Sequence, residues 1–102
     1  MRITVELSLY PLEGDALRTI VAFIEDVSAD ARVEIVVNQL STQLRGALPD
    51  VLDVLGKAIQ RSFENGGKQV LVAKFLNADL PIAEAPDLAA IARALAAEDA
   101  PR

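Results

Sequence analysis

The chain contains neither cysteine nor histidine, and tryptophan is also missing. Without thiols there can be no disulfide, no thiolate metal site and no cysteine nucleophile, and the redox compartment leaves no trace in the sequence. Without imidazole the chain lacks a common transition-metal ligand and the side chain best suited to acid–base work near neutrality. These absences argue against an enzyme, a resident metal and a cofactor. Aromatics are scarce, one Tyr and three Phe, which leaves little bulk for a deep aromatic pocket. Basic residues are outnumbered ten to fifteen, giving a net charge of -5, whereas nucleic-acid binding is driven by clustered Lys and Arg. DNA and RNA are therefore discounted as partners. No stretch approaches the run of about 20 apolar residues that crosses a bilayer, and the opening MRITVELSLYPLEG has no uninterrupted apolar segment of the signal-peptide kind. A soluble, cytoplasmic protein without membrane insertion is the expectation.

What is present is a 102-residue chain, 52% hydrophobic, whose apolar residues are mostly Ala, Leu, Val and Ile. A domain of this length buries roughly two thirds of its unfolded surface, so one core is expected. Ile3, Val5, Leu7 and Leu9 alternate with Thr4, Glu6, Ser8 and Tyr10, the period of a half-buried strand, and Pro11 ends it. Leu17, Ile20, Val21, Ile24 and Val27 then recur at helical spacing, which predicts an amphipathic helix over Asp15 to Ser28 with Asp15 as an early-turn acid. Val33, Ile35 and Val37 mark a second strand, and Leu40, Thr42 and Leu44 a third, joined by a tight hairpin around Asn38 to Leu40. Pro49 suits the first turn of a helix with an apolar stripe of Val51, Leu52, Leu55, Ile59 and Phe63, which stops at Gly66-Gly67. Gln69 to Leu76 reads as a fourth strand. Leu88, Ile91, Ala92 and Leu95 support a short helix after Pro86, Ala-rich enough to fray or to need a partner.

The order β-α-β-β-α-β, taken with right-handed crossovers, predicts an α+β fold of the ferredoxin-like type. Its antiparallel sheet runs 4-1-3-2, with both helices on one face. Residues 1–80 form the expected ligand-binding domain and 81–102 a C-terminal extension. This topology sets the end of the first strand beside the stretch NQLSTQLRG, residues 38–46, where polar side chains are unusually dense. Ser8, Tyr10, Asn38, Ser41, Thr42 and Gln43 are the candidate binding residues. The hydroxyls and amides of Ser41, Thr42 and Gln43 offer uncharged donors and acceptors, the right chemistry for the edge of a neutral aminopyrimidine-like ring; they would serve equally to satisfy hairpin backbone groups. Tyr10 has a ring able to stack on a flat heterocycle, or simply to pack on Pro11.

The outward sheet face mixes Glu6, Ser8, Tyr10, Asn38, Ser41, Gln43, Arg45 and Lys74 with Val36, Val70 and Val72. Such a face suits a partner sheet or a shielded ligand, while the plainer expectation is a solvated face with Glu6 paired to Arg45 or Lys74. Gly66-Gly67-Lys68 follows a helix and precedes a strand, the reverse of a phosphate loop, and reads as a helix C-cap. Asp50 and Asp53 near a helix start favour the dipole rather than a metal.

SLYPL (residues 8–12), LSTQLRG (40–46) and GGKQVLVAKFLNADL (66–80) together resemble the thiamin/hydroxymethylpyrimidine-binding, YkoF-like family, and more loosely the small thiamin-binding proteins related to it, over about residues 3 to 80. The resemblance implies binding of thiamin or its hydroxymethylpyrimidine moiety without catalysis, in precursor salvage or transport. Ser8, Tyr10, Ser41 and Thr42 carry over from its motifs; Asn38 and Gln43 are added from geometry. Some family members carry two tandem units, so a single unit implies a homo-oligomer, a dimer or tetramer, built through the sheet face. The rival expectation is a structural or regulatory homo-oligomerisation module with no small-molecule ligand.

Overall fold

A computed structural model describes residues 1–100 of the chain. The elements follow one another as β1 (Arg2–Pro11), α1 (Ala16–Ser28), β2 (Glu34–Val37), β3 (Thr42–Ala47), α2 (Leu48–Asn65), β4 (Gln69–Leu76) and α3 (Leu88–Asp99). The four strands make one antiparallel sheet in the order β2-β3-β1-β4. This is the expected 4-1-3-2 read from the other edge, an α+β architecture compatible with the ferredoxin-like arrangement.

Alternation along the strands decides what lies inside. Ile3, Val5 and Leu7 of β1 and Leu44 of β3 are buried against Phe23 and Val27 of α1 and Val51, Val54, Leu55 and Ala58 of α2. At about 1.5–3 kcal/mol for each fully buried aliphatic or aromatic side chain, this single layer between sheet and helices is the main stabilising term. On α2 the buried stripe is rotated from the expected one: Val54 and Ala58 are inside, whereas Leu52 and Phe63 are half exposed.

Asp15 is the N-cap of α1 rather than a first-turn acid, its carboxylate accepting from the Arg18 amide at 3.1 Å. Gly14 enters that cap at φ +73, a left-handed conformation that a side chain would strain. After β4 the chain turns back across the open sheet face. The Thr4 hydroxyl donates to the Ala78 carbonyl and accepts from the Leu80 amide, and Arg45 donates to the Leu80 carbonyl. Arg2 and Asp79 close the strap with an ion pair at 2.8 Å.

Beyond the strap, α3 stands away from the rest. It has no buried residue, and the molecule measures 61 × 26 × 18 Å with a radius of gyration of 17.1 Å, against about 13 Å for a compact domain of 100 residues. Pro101 and Arg102, the last two residues of the expected C-terminal extension, lie outside the described residues. No helix of the described residues is long and apolar enough to cross a membrane.

Candidate functional site

A cavity of about 280 Å³ opens where β1 ends, between α1 and the β2–β3 hairpin. Its floor is the helix-facing side of the sheet: Leu7 and Leu9 from β1, Val37 from β2 and Thr42 from β3. Its roof is the outer edge of the α1 stripe, Leu17, Ile20, Val21 and Ile24. Ser8, Tyr10 and the hairpin residues Asn38, Gln39, Leu40 and Ser41 complete it. The roof exists because the α1 stripe is longer than the sheet beneath it. Phe23 and Val27 reach the core, while Leu17 and Val21 overhang the sheet end and stay exposed.

Five of the six candidate residues, Ser8, Tyr10, Asn38, Ser41 and Thr42, line this cavity. Strand register explains the meeting: Leu7 stands opposite Thr42 and Val37 opposite Thr42, so the tail of β1 runs on past Ser41. Gln43 is not with them. It pairs with Glu6 and Val36 on the opposite sheet face, where it lines a separate depression of about 420 Å³ with Thr4, Glu6, Lys74 and the strap residues Leu80 and Ile82. Thr42 is buried on the helix side, one strand position away, and that half-turn of the pleat separates the two.

Hydrogen bonding fixes the polarity of the rim. Asn38 Oδ1 accepts from the backbone amides of Leu40 and Ser41 at 3.1 and 3.0 Å, and the Asn38 backbone N–H donates to the Ser41 carbonyl. The amide oxygen is thus spent on the turn, and the Asn38 side chain has only its NH2 donors to offer. The Ser41 hydroxyl donates to Glu6 Oε2 at 3.4 Å, which leaves its lone pairs as acceptors. None of the fifteen lining residues is Lys, Arg, Asp or Glu. A wall of this kind suits a flat, largely apolar, uncharged molecule with a donor and an acceptor on one edge.

Sequence reasoning missed the α1 roof and Glu6 as the partner of Ser41. The roof left a signal, since Leu17, Ile20, Val21 and Ile24 make an apolar stripe wider than one strand end can cover. The other expected features resolve into structure. Glu6 pairs with Lys74 at 3.5 Å, but Arg45 turns to Glu34 and Asp79. Gly66 ends α2 in an extended conformation. A side chain at Gly67 would collide with Glu13, whose carboxylate accepts from the Lys68 amide at 2.7 Å. Asp50 and Asp53 face Arg32 at 3.6 and 2.8 Å, and Arg32 also holds Asp30. The Arg32 guanidinium lowers the Asp30 carboxyl from 3.8 to about 2.

The YKOF-related family model matches residues 2–82; the chain belongs to this family. Among solved structures, a Streptococcus pneumoniae protein superposes with a TM-score of 0.71 at 20% identity, over 78% of this chain and 90% of its own. A domain of unknown function from Bacillus cereus follows at 0.64 and 25% identity, over 76% and 77%. A Thermotoga maritima protein with a proposed role in thiamine biosynthesis or salvage gives 0.66 at 16% identity, over 92% and 99%. A search of curated protein sequences finds no significant match.

Proposed function

We propose that the chain binds thiamin or its hydroxymethylpyrimidine moiety in the cavity under α1, without transforming it, as part of precursor salvage or transport in the cytoplasm. The observation that carries this reading is the fixed polarity of the rim. Asn38, left with only its NH2 donors, and the Thr42 hydroxyl, which lines the cavity and can accept, together offer partners for a ring nitrogen and an exocyclic amino group, the edge that an aminopyrimidine presents. Tyr10 at the mouth supplies a face for the ring, and Thr42 and Ser8 supply hydroxyls at the floor and side. The absence of Cys and His from the sequence and the uncharged wall both favour binding over catalysis. Isothermal titration of the full chain with hydroxymethylpyrimidine and with its 4-oxo analogue tests the reading. Preference for the amino compound is expected; no heat from the amino compound at millimolar concentration removes the proposal.

A homo-oligomer built through the open sheet face belongs to the same reading, and one observation favours it. Val70, Val72 and Leu76 are half exposed on that face, and on α3 Leu88, Ile91 and Leu95 are 73%, 49% and 56% exposed. A lone Ala-rich helix of 12 residues is marginal in water. Two copies related by a twofold axis would cover both surfaces reciprocally. Sedimentation velocity should show a dimer or tetramer, and a monomer at 100 µM would end that part of the proposal. If assembly occurs with no ligand bound at any concentration, the rival reading as an oligomerisation module takes its place.

A further inference from the structure

Resting on that reading of the cavity, we infer that the site admits the unphosphorylated alcohol and excludes its phosphate ester, so that the protein holds its ligand upstream of a phosphoryl-transfer step. A phosphate monoester carries about -1.5 to -2 charge at neutral pH and needs charged or multiple N–H partners once it leaves water. The cavity supplies no charged partner. No Lys or Arg lines it, and the Asn38 donors are the only side-chain N–H groups at the rim apart from Gln39.

The surrounding charges make matters worse for an anion. The start of α1, whose Leu17 roofs the mouth, has free amides that would attract phosphate, but the Asp15 carboxylate already accepts from the Arg18 amide at 3.1 Å. Arg18 itself lies 3.6 Å from that same carboxylate. On the other side, Glu6 stands 3.4 Å behind the Ser41 hydroxyl, and Lys74 is turned to Glu6 at 3.5 Å. Arg18 and Lys74 thus already have anionic partners, and the whole chain carries a net charge of -5. A dianion entering the cavity would give up its hydration and meet carboxylates instead of counter-charges. A neutral hydroxymethyl group pays no such penalty, because one hydroxyl is matched by one uncharged donor or acceptor.

The test is titration of the full-length protein with three probes: hydroxymethylpyrimidine, its phosphate ester, and its acetate ester as a neutral control of added bulk. In about 10 mM salt, where charges act over about 30 Å, the phosphate ester should bind at least about tenfold more weakly than the alcohol, and the gap should narrow in 150 mM salt. The acetate ester should stay within about threefold of the alcohol. Equal binding of alcohol and phosphate ester would overturn this inference while leaving the proposed function standing. An acetate ester as weak as the phosphate would assign the loss to size, which also overturns it. Failure of all three probes to bind would instead defeat the proposed function. The variant Leu40→Lys, at a mouth position that is 91% exposed, should shrink the ratio of the two dissociation constants at least about threefold; an unchanged ratio would show that charge is not what the site excludes.

Discussion

The two ends of β1 are built on opposite principles. At its amino end Arg2, Thr4, Arg45, Glu34 and Asp79 are tied to one another and to the strap that folds over them. The Arg32 cluster with Asp30, Asp50 and Asp53 sits at the same end, where the Arg32 carbonyl approaches Gly46 of β3. At its carboxyl end the cavity has no charged lining residue, and the polar groups there answer to a turn and to one another. Both ends share the same three strands. The contrast teaches that one sheet can close one end with ion pairs and keep the other receptive, because a cavity lined by neutral groups leaves no buried charge unpaired when it is empty.

The largest way to break this contrast is to remove what both ends share. Leu44, wholly buried in the middle of β3, should cost about 2–5 kcal/mol on Leu44→Ala through cavity formation, read by urea denaturation, with strap and cavity lost together. Thr4→Val separates the ends. It deletes two hydrogen bonds of the strap, should cost about 1–2 kcal/mol, and should speed hydrogen exchange at the Leu80 amide while ligand affinity holds; a loss of affinity would show that the ends are coupled. Asn38→Asp acts on the cavity alone. The carboxylate keeps the turn acceptor but has no donor, so aminopyrimidine affinity should fall about 3- to 10-fold with the midpoint of unfolding shifted by less than about 0.5 kcal/mol.

The smallest effect is the acid response of the charged end. The folded Asp30 pKa lies below its ordinary value, 3.8 falling to about 2, mainly through the side-chain hydrogen bond from Arg32. The native state therefore binds fewer protons than the unfolded chain in this window. The contribution is present above about pH 3.8 and is lost as pH falls through about 2. Asp30→Asn should flatten the stability curve there, as measured by urea midpoints against pH, and a curve of unchanged slope would discount the Arg32 pairing.

Much of this was legible in the residues. Period-two alternation marked β1, β2 and β3, and β4 falls on the expected Gln69–Leu76, because local steric and burial preferences repeat along a strand. The meeting of Ser8 and Tyr10 with residues 38–42 followed from strand order alone. Gln43 faces outward, as the alternation along β3 indicates; it falls outside the cavity because the cavity opens on the helix side of the sheet, and composition cannot say which side a cavity occupies. The α2 stripe was misjudged for a similar reason. Helical spacing permits either Leu52 with Phe63 or Val54 with Ala58, and only tertiary packing selects the smaller pair.

By itself the sequence determined the element order, the charge-poor polar stretch, and the lack of thiol and imidazole chemistry, since these are properties of composition and short-range period. The tertiary structure alone decided that the overhang of α1 becomes a roof, that Asn38 and Ser41 are left with one hydrogen-bonding sense each, and that the strap seals the far end. Those outcomes depend on which groups from distant parts of the chain consume one another's donors and acceptors, a matter of geometry that no local pattern encodes.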